Sequence, residues 1–207
     1  MGLKDVDALR SFCLELSSDQ PSPGGGTASA AAGAMSAALL VMVCGMTGRS
    51  KRHMDHWQEI NDLKTALVRR RDVLLSLAKE DANAYDAVFE ASKRQRASDT
   101  PENRQEYQAS LRRATEVPLR TASECCALLE QSVIVAGLQT RSASSDTVVA
   151  VMLAEAGFKG ASANVEINLK DIADADFVQR TRKGLADHGT KARILVENAL
   201  SRLREPA

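Results

Sequence analysis

The chain has 207 residues, enough for one domain with a substantial core, and its 27 basic and 27 acidic side chains leave no net charge, which argues against a polyanion-binding surface. Apolar residues make up 44% but aromatics only 3%, so alanine, leucine and valine carry the core and helix is favoured over sheet. Four cysteines (Cys13, Cys44, Cys125 and Cys126) form no CxxC pair, which argues against a zinc or disulfide framework and points to a reducing cytosol.

The first residues are amphipathic and unlike a secretory signal. Val6, Leu9, Cys13 and Leu16 mark a short amphipathic helix, followed by a polar turn. Pro21, Pro23, Gly24, Gly25 and Gly26 then lead into a helix over about 27–46. No charged residue occurs between Asp19 and Arg49, and positions 28–38 are small apart from Met35. Such a run is long enough to span a bilayer. Its alanines, serines and glycines insert poorly, however, and no second candidate span is evident. A central bundle helix, approached closely by its neighbours, is the expected form.

From about 51 to 97 the pattern gives one long helix or two in line, with a stripe through Ile60, Leu63, Leu67, Leu74, Leu77, Ala84, Val88 and Ala91. Thr100 and Pro101 start the next helix, which carries Tyr107, Leu111 and Ala114 and which Pro118 is expected to kink or restart. A polar loop over 137–144 precedes a helix over about 145–162. Residues 164–169 are ambiguous, and a final helical region over 173–203 is expected to break near His188 and Gly189. With neither a period-two strand nor a repeat, the fold class is an all-α, up-and-down helical bundle in a single domain over 1–207.

Continuing the long stripe by threes and fours puts Arg70 and Asp81 on the core-facing side. A carboxylate there is desolvated, and its pKa rises unless donors or cations compensate. That suits general acid/base work near neutral pH, although a structural ion pair fits the same pattern. Glu80 and Asp86 fall off the stripe. Gly24, Gly25 and Gly26 offer bare N–H groups at a helix N-terminus, able to hold an anion or carbonyl, or serving only as a lead-in. No strand precedes them and no Lys-Ser/Thr follows, so this is neither a dinucleotide fingerprint nor a P-loop. Ser145 and Asp146 read as helix caps unless a ligand is present. Asn164 and Asn168, four apart, place two amides on one helical face, where they could read a heterocycle edge. His53 and His56 have a spacing compatible with a metal but no implied third ligand.

Taken in order, "PSPGGGTASAAAGAMSAAL", "MVCGMT", "EDANAYDAV", "TPENRQEYQASLRRATEVPL" and "SDTVVAVMLAEAGFKGASANVEINLKDI" resemble the cyclodeaminase/cyclohydrolase family of folate one-carbon metabolism. The resemblance covers most of the chain. It implies an all-helical homodimer with a folate cleft near the glycine-rich lead-in, acting as a hydrolase or an ammonia-lyase on a tetrahydrofolate substrate. A metal or redox cofactor, a nucleic-acid partner and a membrane are not expected. It matches Asp81 to the family's catalytic acid, and matches Gly24, Gly25, Gly26, Ser145, Asp146, Asn164 and Asn168 to segments lining the cleft. Two departures stand out. Gly45 occupies a position where the family commonly has asparagine, and "AGLQTRSASSD" lacks the family's Gly-Asn turn, leaving Gln139, Thr140 or Arg141 as replacements.

Overall fold

The structure is a computed structural model describing residues 6–138 and 141–204, so Gln139 and Thr140 lie outside the described residues, as does the side chain of Arg141. In chain order it contains α1 (Val6–Leu16), α2 (Gly25–Thr47), α3 (Trp57–Ala97), α4 (Pro101–Leu138), α5 (Ser144–Asn168) and α6 (Ala175–Arg204). Short 3-10 turns occupy Lys51–His56 and Arg141–Ala143, and no strand occurs among the described residues. The all-α expectation holds, with a core drawn from α2 through α6 and centred on Leu40, Leu67, Leu74, Leu77, Leu128 and Leu129.

The small side chains of α2 let α3, α4 and α5 pack directly on it. Helices α2 and α5 run antiparallel: Ser36 Oγ donates to the Ala150 carbonyl at 2.7 Å, while Gly25 lies against Asn164 near the other end. Where they cross, a Cβ on Gly157 would come 2.9 Å from both the Ser29 carbonyl oxygen and Cys125 Sγ. One on Gly33 would come 2.8 Å from the same sulfur. Gly157 is required by backbone approach and Gly33 by the side chains of Cys125 and Leu74, with Cys125 filling the notch between them. The α2 face that escapes this packing carries exposed Met35, Met42 and Met46.

Four expectations change. Helix α4 runs unbroken through Pro118, which is buried. Proline removes the hydrogen bond to the carbonyl four residues earlier, that of Ala114. Asn168 Nδ2 of α5 donates to that carbonyl at 2.8 Å, so the lost bond is replaced from outside the helix. Residues 164–168, ambiguous in sequence, complete α5 because buried Val165 packs into the core and Asn168 is held in this way. Helix α6 does not break near Gly189; Leu185, Ala192, Val196 and Ala199 are buried on both sides of it and hold one continuous face. Finally, Ser144–Asn168 is a second helix long and apolar enough to cross a membrane, besides Gly25–Thr47. Each packs its small-residue face against the other inside the bundle.

Replacing Gly157 by alanine forces a methyl into the α2 backbone, and we expect a loss of about 1–3 kcal/mol in urea denaturation. Gly184 of α6 has nothing within 4 Å of its Cβ position. Gly184→Ala should therefore be neutral or stabilising by up to about 1 kcal/mol, following helix propensity alone.

Candidate functional site

Helix α2 begins without a side-chain cap of its own, since its N-cap is Gly24. The missing acceptor comes from α3. Asp81 Oδ2 accepts a hydrogen bond from Thr27 Oγ1 at 2.9 Å, and the carboxylate also accepts from the Thr27 backbone N–H. A negative group at this position is favoured by the exposed N–H groups and by the helix dipole. The approach is close enough that a Cβ on Gly26 would lie 2.2 Å from Asp81 Oδ1. Gly26 is thus glycine because a carboxylate occupies the space of its side chain.

Asp81 is half-buried at a cleft wall, where the stripe had put it deeper in the core. Desolvation raises its pKa above the ordinary carboxylate value, and the two Thr27 hydrogen bonds pull against that without cancelling it. Arg70, on the same stripe, pairs with Glu124 of α4 and stays clear of Asp81.

Asp81 opens into a cavity of about 300 Å³. Around it stand Gly24, Gly25 and Gly26, Tyr85 one turn along α3, Tyr107 from α4, and Asn164 and Asn168 from α5. Asp171 also lines it. Tyr85 and Tyr107 are the chain's two tyrosines, and both face this space. The two asparagines act alike. Asn164 Nδ2 donates to the Gly160 carbonyl and Asn168 Nδ2 to the Ala114 carbonyl, each at 2.8 Å. With one N–H of each amide engaged, both side-chain carbonyls remain as acceptors, beside the second N–H of each amide. The lining contains two carboxyl groups and no lysine or arginine. Such a cleft suits a flat ligand rich in N–H donors that carries or develops positive charge.

The structure therefore brings together Gly24, Gly25, Gly26, Asp81, Asn164 and Asn168, as expected. It does not bring Ser145 and Asp146 to them within one chain. Those residues sit in the first turn of α5, and Asp146 is 18 residues from Asn164, about 27 Å along the helix axis. Ser145 is exposed and Asp146 half-buried there. His56 bonds Glu59, and among the described residues no three His, Cys, Asp or Glu side chains gather as a metal site would require. Sequence reasoning did not assign Thr27, Tyr85, Tyr107 or Asp171 to the site. Tyr85 was within reach, being four residues beyond Asp81 on the same helical face.

A family model for formiminotransferase-cyclodeaminase matches residues 8–187. A methenyltetrahydrofolate cyclohydrolase of Methylorubrum extorquens is 32% identical over 181 residues, covering 86% of this chain and 87% of that one. The formimidoyltransferase-cyclodeaminase of Sus scrofa is 34% identical over 203 residues. That match takes in 94% of this chain, which spans only 36% of the longer relative. Among solved structures, the formiminotetrahydrofolate cyclodeaminase of Thermotoga maritima superposes with a TM-score of 0.87 at 28% identity, covering 94% of each chain.

The raised pKa of Asp81 has a signed consequence for stability. Its folded pKa lies above the unfolded value, so folding loses free energy as pH rises through the window between the two. Below that window the penalty is absent, and above it the penalty is complete. Asp81→Asn keeps an acceptor for Thr27 and removes the charge. Melting temperatures should show the variant more stable than wild type near neutral pH, with the gap closing toward about pH 4. A gap of the opposite sign near neutrality would contradict the desolvated carboxylate.

Proposed function

The chain belongs to the formiminotransferase-cyclodeaminase family, and on that premise we propose that it is an enzyme cleaving a C–N bond at the bridge between N5 and N10 of a tetrahydrofolate, with Asp81 as general acid/base. The observation that carries this reading is the cleft around a half-buried carboxyl, lined by a second carboxyl and two asparagine amides and by no lysine or arginine. Both reactions named among its relatives pass through a carbon bonded to two nitrogens and bearing positive charge. A carboxylate stabilises that charge electrostatically, and a carboxyl of raised pKa can also hold a proton and return it.

In the cyclohydrolase direction, water attacks the cationic methenyl carbon. Asp81 accepts one water proton and delivers it to the departing nitrogen as the C–N bond breaks, while the adduct's hydroxyl proton is released to solvent as the carbonyl forms. In the cyclodeaminase direction, N10 attacks the formimidoyl carbon, and Asp81 relays a proton to the ammonia that leaves. The 32%-identical relative, matched over most of its length, supports cyclohydrolase as the first reading. The name of the solved Thermotoga maritima relative supports cyclodeaminase as the second. Neither reaction changes the oxidation state of the bridging carbon, so a redox cofactor has no step to perform, and we assign no metal either.

In the same reading Tyr85 and Tyr107 flank the flat ring, and the acceptors of Asn164 and Asn168 take its N–H donors. A homodimer is proposed through the face of α2 and α3 that carries exposed Met35, Met42 and Leu75, an apolar surface of the kind that marks association. Ser145 and Asp146 could reach the cleft only from a second subunit. Four thiols without a disulfide support a cytosolic protein, acting on a small molecule and requiring neither membrane nor nucleic acid.

Ultraviolet absorbance with methenyl- and formimidoyl-tetrahydrofolate side by side tests the assignment. Wild type should turn over at least one of them. Asp81→Asn should lower kcat by about 10²- to 10⁴-fold while substrate still raises the melting temperature. Turnover retained in that variant would remove Asp81 from the mechanism.

A further inference from the structure

The turn that ends α5 carries a carboxylate with no structural task. Asn164, Asn168 and Asp171, spaced by four and three, line the cleft in that order. Asn164 lies beside Gly25, whose neighbour Gly26 faces Asp81, and Asn168 stands one helical turn, about 6 Å, farther along α5. Asp171 follows beyond it, so the two carboxyls stand toward opposite ends of this row. Asp171 is exposed at the cleft, and among the described residues its carboxylate accepts no hydrogen bond and joins no ion pair. Asp174 does the structural work of the same segment: Oδ1 accepts from the Phe177 N–H at the start of α6, and Oδ2 pairs with Arg112 at 3.3 Å. Lys170 and Ile172, on either side of Asp171, line a separate cavity. The backbone that carries Asp171 is nevertheless held firmly. Gln108 of α4 grips it with both ends of its amide: Nε2 donates to the Asp171 carbonyl at 2.9 Å, and Oε1 accepts from the Ala173 N–H at 2.8 Å. A free carboxylate on a pinned turn is a preset acceptor.

We propose that Asp171 is the residue that selects the substrate's ring, accepting the paired N–H donors of a 2-amino-4-oxo pteridine, namely its exocyclic amino group and N3–H. The proposal rests on the folate reading of the cleft and adds to it a ring orientation and a specificity residue. A carboxylate accepts two parallel N–H bonds, as it does from a guanidinium, whereas an amide offers one oxygen. Seating that edge at Asp171 directs the opposite ring, which holds N5, toward Asp81. The cavity of about 300 Å³ is at the lower limit for a ligand site and suits a fused two-ring head. A ring with a carbonyl in place of the amino group sets an acceptor against the carboxylate and is rejected. Gln108 acts through Asp171 as a positioning residue.

Calorimetric titration of the full chain with 6-methylpterin and with 6-methyllumazine, its 2-oxo counterpart, tests the assignment without reference to turnover. Wild type should bind the pterin roughly tenfold or more tightly than the lumazine, the effect of one charged hydrogen bond. In Asp171→Asn the new amide can donate to the 2-oxo group, so the ratio should fall toward one. Gln108→Leu keeps the carboxylate and frees its turn. It should weaken pterin binding and narrow the ratio, whereas a merely structural glutamine would lower the melting temperature and leave the ratio unchanged. Circular dichroism melts record the folding of each variant. Equal affinity of wild type for the two rings, no binding of 6-methylpterin, or an unchanged ratio in Asp171→Asn overturns the proposal, even where folate turnover is found. A ratio that depends on Asp171 in a chain that turns over neither folate upholds it and removes the folate-bridge reaction instead.

Discussion

Asp81 of α3 caps the N-terminus of α2, and the rest of the site is arranged around that contact. A helix that begins in glycine has no acceptor for its first N–H groups, so the acceptor must come from elsewhere. A carboxylate fills the role with charge aligned to the helix dipole, and only a missing Cβ at Gly26 lets it come close enough. The same contact sets its acidity. Burial holds the proton on, Thr27 draws it off, and burial prevails. In the proposed mechanism a structural cap and a proton carrier are thereby one group.

The small-residue character of α2 has a related consequence. Because Gly157 and Gly33 permit near backbone contact, α5 lies directly against α2 and delivers Asn164 beside Gly25. Asn168 is placed by a different device. Pro118 leaves the Ala114 carbonyl of α4 without its helical donor, and the amide of Asn168 takes it. An irregularity in one helix thus orients a cleft-lining amide on another. Both asparagines are fixed by bonds to backbone carbonyls, so their acceptors are presented without a search over rotamers. The stability these bonds contribute, on the order of 1 kcal/mol each, matters less than the orientation they impose.

Much of this was legible in the sequence because helix periodicity is a strong signal. The three-four rule carried from Ile60 to Asp81 and singled out the carboxylate that bonds Thr27 of α2, although the structure places it at a cleft wall. The composition of α2 announced close packing. What failed were inferences from local breakers. Pro118 and Gly189 argue for interruption by propensity, yet buried residues on both sides hold α4 and α6 continuous. A second apolar helix in α5 was overlooked because its glutamates and lysine mask its length. Pairings between distant helices, such as Pro118 with Asn168, leave no periodic trace. Ser145 and Asp146 matched a family segment, but one chain does not carry them to the cleft.

The central claim is that the carboxyl held by Thr27 is the group whose ionisation governs the reaction. Its most direct test is the pH dependence of kcat/KM for methenyl-tetrahydrofolate in wild type and in Thr27→Val, which deletes the hydroxyl donor and keeps the shape. The account predicts an inflection above the ordinary carboxylate range in wild type, moved to still higher pH in the variant because the ionised form has lost a hydrogen bond. An inflection that stays in place when Thr27 loses its hydroxyl would contradict it.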